Sequence, residues 1–517
     1  MTYAPAKRWV LTAVAACWAL GGLPLAARAQ EPQPADSSAP VARSKDGKRL
    51  FGAADALRVA RVFAPRLSPD GSRVAYLVSA AQMEPDQPGK LVTQLWMVPT
   101  AGPATAARQF TRGEKGVSNA QWSPDGTIIA FITTAGEEKD AKPQVWFMYA
   151  DGGAPWQVTR HKSGVREFEF SPDGKTLLLG ATTAPTSDEE KRDKVKDDAV
   201  VVDHDFKMSS LFTWDIASGR EKQLTASDFT ATDAHWSPDG TRIVYTSTPT
   251  PRIDDRNLQS VWVVDVASGA THKVNPSADP ANTARWSPDG KWVAYLSSHG
   301  GEPYQTNLFV ESATGGAVRE LTGAFGLNAG EPHWSSDGKT IYFATDVRES
   351  GEVFAATVAD GTVRQLTTTP GVLDVDEISR DGRVAIGTTS DPAHPANVYR
   401  SDLTFASVEP ITNQNAWLAD YALGAAEVIQ WKSSRDGMAI DGIVTKPVDF
   451  VSGRRYAFLL NPHGGPTGSS LLAFNAQEQV MAANGYVVLE PNFRGSTGRG
   501  EQFAAANRND WGNGDYK

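Results

Sequence analysis

The sequence has almost no cysteine: Cys17 is the only one among 517 residues. It lies in the apolar N-terminal run, before the cleavage site that we predict after Ala29. Cleavage there leaves a mature chain without a thiol, which excludes disulfides, a cysteine nucleophile and a cysteine-ligated metal. Such an exported protein depends on the size of its hydrophobic core for stability.

Basic residues are also too few and too scattered for a nucleic-acid partner. The 50 Lys and Arg are outnumbered by 60 Asp and Glu, which gives a net charge of −10. Phosphate contacts require clustered Lys and Arg, so we predict no nucleic-acid binding. The triplet Asp203-His204-Asp205 is the one run with several metal-ligating side chains. Neighbouring side chains of a strand point to opposite faces, so we predict no metal there and no other cofactor.

No apolar run is long enough for a stable membrane span, which requires about 20 residues. The longest one, residues 10–23, follows Lys7 and Arg8 and precedes Ala27-Arg28-Ala29. This order predicts a signal peptide at residues 1–29 and export, in a bacterium to the periplasm. An alternative is a lipoprotein box at residues 14–17, which would leave Cys17 lipidated. The apolar stretch continues beyond Cys17, so we favour this alternative less.

The stretch that follows is predicted to lack structure before the folded part begins. Residues 30–49 are polar and rich in proline and serine, which is typical of a disordered leader. Residues 50–63 place apolar side chains at helical spacing and predict a helix docked on the folded body.

The middle of the chain is a repeat. Seven copies of a Ser-Pro-Asp-Gly-like turn are each followed by a β-rich segment, at intervals of 55, 48, 66, 50, 48 and 44 residues. The turn aspartates are Asp70, Asp125, Asp173, Asp239, Asp289, Asp337 and Asp381. Proline and glycine in these positions favour a β-turn, and each unit has room for about four short strands. A β-helix is the alternative, but this period favours a seven-bladed β-propeller of the TolB/WD-like type over residues 50–415.

Two features inside the repeat have simple structural interpretations. The mixed-charge run at residues 187–198 predicts a solvated loop or a short exposed helix. His235 and His333 each precede a tryptophan of the repeat, where packing or hydrogen bonding is a commoner role than catalysis.

A different architecture begins near residue 416. Residues 427–431 and 440–444 predict two strands joined by an Asp-Gly turn. A buried strand at 456–460, a helix at 471–483 and a second buried strand at 486–490 follow. Strand, helix and strand in this order predict the start of a parallel α/β sheet over residues 416–517.

The first buried strand leads into His463-Gly464-Gly465-Pro466, the clearest candidate for chemistry. Glycines let backbone N–H groups approach a ligand closely, and α/β-hydrolases bind an oxyanion in this way. A tight turn without a role is the other interpretation of Gly464 and Gly465.

Residues 424–517 resemble the start of the catalytic domain of the prolyl oligopeptidase family, in its acylaminoacyl-peptidase and dipeptidyl-peptidase-like bacterial branch. The resemblance lies in LLNPHGGP and in NGYVVLEPNFRGSTGRGEQF. It implies that the N–H of Gly465 is an oxyanion donor, that Gly464 shapes the loop, and that His463 is not the triad histidine. It also implies a structural rather than catalytic role for Arg494.

The nucleophile elbow of that family, G-x-S-x-G, does not occur in the sequence. No histidine follows His463, and the later serines are Ser469, Ser470 and Ser496, none on a predicted elbow. We therefore expect the Ser, Asp and His triad to be absent from this chain. The chain would then be a fragment without peptidase activity. Because its sheet is cut, we also expect aggregation or loss of order after about residue 420.

Three functions compete at this stage. The first is a serine peptidase acting on short peptides, with the triad beyond residue 517. The second is a non-catalytic periplasmic propeller that binds a protein or peptide partner. The third is an esterase with the same oxyanion loop. The intact HGGP motif favours the first, while peptide specificity and oligomeric state are not encoded in any recognisable motif.

Overall fold

The computed structural model describes residues 42–82, 89–134, 141–197, 199, 203–204, 206–298, 305–465 and 467–516. The predicted signal peptide and most of the predicted leader lie outside this part of the chain. Within it, no helix combines the length and the apolar character needed to cross a lipid bilayer.

The first described segment is ordered against the rest of the molecule, which corrects the predicted leader at its C-terminal end. Strand β1 (Arg49–Leu50) pairs in parallel with Tyr421–Ala422, and the N–H of Lys45 donates to Asp449 Oδ2 at 2.9 Å. Contacts with residues more than 370 positions later in the sequence hold this polar stretch in place. Composition alone does not reveal such contacts.

The predicted docking helix is present but shorter than expected. Helix α1 covers Ala53–Arg58 instead of residues 50–63, and the chain is already extended at Val59. Residues 61–67 form a strand because pairing with the next strand satisfies their backbone groups. Phe51 anchors the segment: its side chain is fully buried, with ring centroids 6.0–6.3 Å from those of Trp417, Tyr421 and Phe474.

The repeat region, residues 61–410, consists of antiparallel sheets in which strands pair in sequence order. Five of these sheets have four strands each. They are β2–β5 (Arg61–Leu67, Arg73–Gln82, Lys90–Pro99, Arg108–Gln109), β6–β9 (Val117–Trp122, Ile128–Thr133, Gln144–Tyr149, Trp156–Gln157), β10–β13 (Glu167–Phe170, Thr176–Thr182, Ser209–Asp215, Glu221–Gln223), β14–β17 (Thr230–Trp236, Arg242–Thr248, Ser260–Asp265, Thr271–Lys273) and β18–β21 (Ala281–Trp286, Trp292–Ser297, Asn307–Ser312, Arg319–Glu320).

The last two repeats share one nine-stranded sheet. They are joined by a single parallel pair, Gly351 with Val372, so the described sheets number six although the turn motif occurs seven times. The count of seven blades therefore stays a prediction. The strands are β22 (His333–Trp334), β23 (Thr340–Val347), β24 (Ser350–Thr357), β25 (Val363–Gln365), β26 (Val372–Leu373), β27 (Glu377–Ile378), β28 (Ala385–Asp391), β29 (His394–Ser401) and β30 (Glu409–Pro410).

The repeated turns join the first and second strands of each unit and close on themselves. In the turn after β18, Ser287 Oγ donates to Asp289 Oδ1 at 2.7 Å and accepts from Trp292 N at 2.9 Å. Gly290 has φ +68°, a conformation that glycine adopts without steric cost. The hydrogen bond from Ser287 also lowers the pKa of Asp289. These bonds are local, so the motif specifies its own turn.

Adjacent turns also contact one another in chain order. In five consecutive repeats, a Cβ on the turn glycine would lie 3.4–3.8 Å from Cδ of the proline in the preceding turn. The pairs are Gly126 with Pro69, Gly174 with Pro124, Gly240 with Pro172, Gly290 with Pro238, and Gly338 with Pro288. A cavity of about 640 Å³ lies among the first strands and turns, and its lining includes Gln121, Glu169, Trp236, Trp334 and Arg380. The repeats therefore surround a common centre.

The first and last repeats pack together. Val62 and Tyr76 of the first repeat share one hydrophobic cluster with Ile386 and Val398 of the last. The N–H of Leu67 also donates to Glu377 at 2.8 Å. Contacts between sheets, rather than a shared hydrogen-bonded strand, connect the two ends of the repeat region.

The mixed-charge run is an exposed helix, as predicted. Helix α2 covers Ser187–Lys194, and none of its residues is buried. The Thr186 hydroxyl accepts from Glu189 N, and the Glu189 carboxylate accepts from Thr186 N at 2.6 Å. This reciprocal cap explains why a polar run forms a regular helix.

The catalytic segment, residues 424–517, contains a four-stranded mixed sheet. After β31 (Tyr421–Ala422), the strands are β32 (Ala426–Lys432), β33 (Ala439–Thr445), β34 (Ala457–Leu460) and β35 (Tyr486–Asn492), in the order β32-β33-β35-β34. Only β34 and β35 are parallel, so the predicted parallel arrangement holds for this pair and the first two strands form an antiparallel hairpin. The prediction of a buried strand at 456–460 is wrong for β34, because it lies at the edge of the described sheet and Phe458 and Leu460 are 59% and 53% exposed.

The helix between the parallel strands is shorter than predicted. Helix α3 covers Ala476–Ala483, not residues 471–483. The Asn475 side chain accepts from the N–H groups of Gln477 and Glu478 and thereby sets the start. Gly485, with φ +85°, follows the end of the helix in a conformation that glycine adopts without steric cost. A last short helix, α4, covers Glu501–Ala504.

Candidate active-site loop

The candidate site is the glycine loop, residues 461–470, which follows β34. Its backbone reverses at Gly465, where φ is +149° and a Cβ would lie 2.7 Å from Thr467 N. Only glycine fits such a position without strain. At Gly464 a Cβ would meet nothing within 4 Å, so the space above this residue is open. Pro466 lies outside the described residues.

The N–H group of Gly465 is available to a ligand. Gly465 is exposed, and no described residue accepts a hydrogen bond from its backbone N–H. Its position in the loop after the parallel strand β34 is one in which a backbone donor can meet a developing oxyanion. Gly464 and Gly465 thus lie together in an exposed loop.

His463 is turned away from the exposed side of the loop. Its ring stacks on Phe493 with centroids 4.5 Å apart, and its Nδ1 lies 2.9 Å from the carbonyl oxygen of Gly464. Its Nε2 lies 2.8 Å from Ser496 Oγ, a hydroxyl that is also 2.6 Å from the carbonyl oxygen of Phe493. Burial lowers the pKa of His463, which favours the neutral ring.

The end of β35 braces the loop, and the segment after it contacts the turn between β32 and β33. Asn492 is fully buried and pairs with both backbone groups of Ser470, at 2.7 Å and 3.1 Å. Two guanidinium nitrogens of Arg494 each lie 2.9 Å from a carboxylate oxygen of Asp436. These are the contacts that a structural role for Arg494 requires.

Sequence reasoning missed a second group of charged residues, on the first strands of the repeats. Arg285 lies 3.0 Å from Asp233 and 2.7 Å from Glu331. His235 lies 3.2 Å from Glu169 and 3.1 Å from Asp233. The only signal was the position of Arg285 and His235 directly before a repeat tryptophan, which does not by itself indicate ion pairing.

The two histidines of this group have opposite electrostatic surroundings. Burial and Arg285 lower the pKa of His235, but Glu169 and Asp233 outweigh them and raise it to about 9. Burial lowers the pKa of His333 to about 4. His235 thus takes part in hydrogen bonds and ion pairs. The described residues contain no group of three or more His, Cys, Asp or Glu that could hold a metal. Asp205 lies outside the described residues.

Comparison with known proteins gives consistent matches along the chain. Residues 255–418 match the TolB beta propeller domain, and residues 472–517 match the prolyl oligopeptidase family. The uncharacterized peptidase YuxL of Bacillus subtilis is 28% identical over 501 residues, covering 91% of this chain and 74% of YuxL. The chain belongs to the prolyl oligopeptidase family. The matched family and the peptidase-named relatives support a serine hydrolase.

Two further proteins match parts of this chain to different extents. Dipeptidyl-peptidase 5 of Porphyromonas gingivalis is 27% identical over 207 residues, which is 40% of this chain and 30% of that protein. The acylaminoacyl peptidase structure from Pyrococcus horikoshii superimposes with a TM-score of 0.71 at 17% identity, over 90% of this chain and 70% of that one. The latter likeness establishes a propeller and a prolyl oligopeptidase-like fold.

Proposed function

We propose that the glycine loop is the oxyanion-binding element of a peptidase active site, with the backbone N–H of Gly465 as one donor. One observation carries the proposal: an exposed N–H without an acceptor among the described residues, at a position restricted to glycine, directly after the parallel strand β34. Gly464 leaves the space beside this donor open. A carbonyl oxygen of a peptide substrate would occupy that space.

The chemistry follows from what such a donor stabilises. In acyl transfer by a serine peptidase, a serine attacks the peptide carbonyl while a histidine accepts its proton and an acid orients the histidine. The carbonyl oxygen becomes an oxyanion, and one preorganised donor contributes a factor of about 10²–10³ to kcat. No residue of the sequence occupies a G-x-S-x-G motif. We propose that the serine, the acid and the histidine are supplied by residues outside these 517.

The repeat region gives the proposal its substrate class. A ring of seven blades around a central cavity would cover the active site and limit access to short peptides. Release of dipeptides or acylated amino acids is consistent with the names of the relatives. We also propose export to the periplasm with the first 29 residues as the signal peptide, since the charge and apolar pattern there is typical of one.

The source gene tests this proposal first. Sequencing past codon 517 is expected to show an open frame of about 150–200 further codons with G-x-S-x-G, then Asp, then His. A stop codon at that place, or a frame without the motif, contradicts this mechanism and favours a propeller that binds a partner without catalysis. The product of the complete gene is then assayed with dipeptidyl and acyl-aminoacyl chromogenic substrates.

A further inference from the structure

A hairpin of the repeat region reaches into the catalytic segment. Strands β23 and β24 are joined by only two residues, Arg348 and Glu349, because Val347 pairs with Ser350. Arg348 has φ +58°, a conformation that two-residue hairpin turns normally assign to glycine or asparagine. A residue persists in such a conformation when its surroundings fix it. The contacts that fix Arg348 come from the catalytic segment.

Buried charges hold the hairpin tip in place. Arg348 Nη2 lies 2.5 Å from Asp441 Oδ2, and Arg499 Nη2 lies 2.5 Å from Glu349 Oε1 while also contacting Asp441. The side chains of Glu349, Asp441 and Arg499 are 8%, 4% and 6% exposed. Removing one partner of such a buried group leaves an uncompensated charge, so the tip and the catalytic segment behave as one unit.

Asp346 extends this attachment to the glycine loop. Its Oδ2 accepts a hydrogen bond from Ser469 Oγ at 2.6 Å and from Thr497 Oγ1 at 3.3 Å. The backbone continues the contact, since Leu472 N donates to the carbonyl oxygen of Glu349 at 2.7 Å. The loop is therefore braced from two sides, by the residues after β35 and by the propeller hairpin.

We propose that Asp346 is a positioning residue for the oxyanion donor, acting from the propeller through Ser469 on the loop that carries Gly465. The inference rests on the function proposed above for that loop. Only three residues lie between Gly465 and Ser469, so a shift of Ser469 is transmitted to the donor within one short segment. Donor geometry must be held to within about 0.5 Å, and a misplacement of about 1 Å reduces a rate by up to about 10²-fold.

The first test is hydrogen–deuterium exchange on the 517-residue chain, which needs no activity. Asp346→Ala is expected to speed exchange of the Ser470 amide, the loop N–H that donates to Asn492 Oδ1, by about ten-fold, because a charge-assisted hydrogen bond that holds the loop is lost. Asp346→Asn keeps an acceptor oxygen and is expected to stay within about three-fold of the wild type. Ser469→Ala removes the same bond without changing charge, so it replaces Asp346→Ala if that variant does not fold.

Asp360→Ala is the matched control. Asp360 is an exposed turn aspartate of the same sheet, and its carboxylate accepts from Thr362 N at 3.0 Å within its own turn. It is expected to leave exchange at residues 463–470 unchanged. Wild-type exchange in both Asp346→Ala and Ser469→Ala overturns the inference. An equal increase in the exchange rate over all of β23 and β24 also overturns the inference, because it indicates that the propeller as a whole has become less stable.

Kinetics of the complete gene product separate this inference from the proposed function. Asp346→Ala is expected to lower kcat about ten-fold with KM changed less than about two-fold, because the donor is misplaced and substrate binding is retained. If Gly465→Ala leaves kcat unchanged, the proposed function fails, whatever the exchange data show. If Gly465→Ala abolishes kcat but Asp346→Ala changes neither kcat nor exchange, only the positioning role fails.

Discussion

The Nε2 atom of His463 lies 2.8 Å from the Oγ atom of Ser496. The two atoms and their separation are those of a catalytic Ser–His pair. Ser496 is fully buried, however, and Nδ1 of His463 lies against the carbonyl oxygen of Gly464 instead of a carboxylate. A nucleophile must reach the substrate, so this pair serves to fix the loop and not to attack a peptide.

Serine-directed reagents test this interpretation. A fluorophosphonate probe is expected to leave Ser496 unmodified in the 517-residue chain, because the hydroxyl has no access to solvent. Wild type and Ser496→Ala are compared by intact mass, with an active serine hydrolase in the same reaction as a positive control. A covalent adduct mapped to Ser496 would show that the buried pair is a functional nucleophile.

The N-terminal segment is expected to contribute strongly to stability through Phe51. Phe51→Ala leaves a cavity among Trp417, Tyr421 and Phe474, and the free energy of unfolding should fall by about 3–5 kcal/mol. The control is Leu57→Ala in the same segment, since Leu57 is 51% exposed. Melting followed by circular dichroism compares the two variants. Equal melting temperatures would contradict the anchoring role of Phe51.

A buried carboxyl pair predicts a pH dependence in the catalytic segment. Burial, together with the neighbouring carboxyl of Glu478, raises the pKa of Glu490 to about 9. The folded chain thus keeps a proton that the unfolded chain releases near pH 4.5, and stability is expected to fall as pH rises from about 4.5 to about 9. Glu490→Gln, which stays neutral, should flatten this part of the profile.

Denaturant titrations at several pH values measure the effect. Glu501→Gln is the control, since Glu501 is exposed in the first turn of α4. It should keep the wild-type profile. A slope of wild-type stability between pH 5 and pH 8 that persists unchanged in Glu490→Gln would contradict the assignment.

The sequence predicted the repeat well because its signal is local. Ser, Asp and Gly within four residues make their own hydrogen bonds in each turn, as Ser287, Asp289 and Gly290 show. The β-rich segments beside these turns consequently fall in the observed strands. The hairpin and the parallel pair of the catalytic segment were predictable for the same reason, from turn residues and apolar runs, although the burial predicted for the first run was wrong.

Element ends and distant contacts were not predictable. Helical spacing alone extended α1 to Phe63 and began α3 at Leu471, whereas strand pairing and the Asn475 cap set the real limits. The contact of Asp346 with Ser469 joins residues 123 positions apart, and that of His463 with Ser496 joins residues 33 apart. Such contacts depend on how the two parts of the chain pack, which no local pattern encodes.

The most direct measurement is kcat of the complete gene product with alanine at each loop glycine. Gly465→Ala is expected to lower kcat by about 10²–10³-fold, because its Cβ would displace the donor from a backbone conformation restricted to glycine. Gly464→Ala, where a Cβ meets nothing within 4 Å, is expected to remain folded, and because its Cβ enters the space proposed for the substrate carbonyl, its loss is expected mainly in KM. A Gly465→Ala variant with wild-type kcat would contradict the assignment of the glycine loop as the oxyanion-binding element.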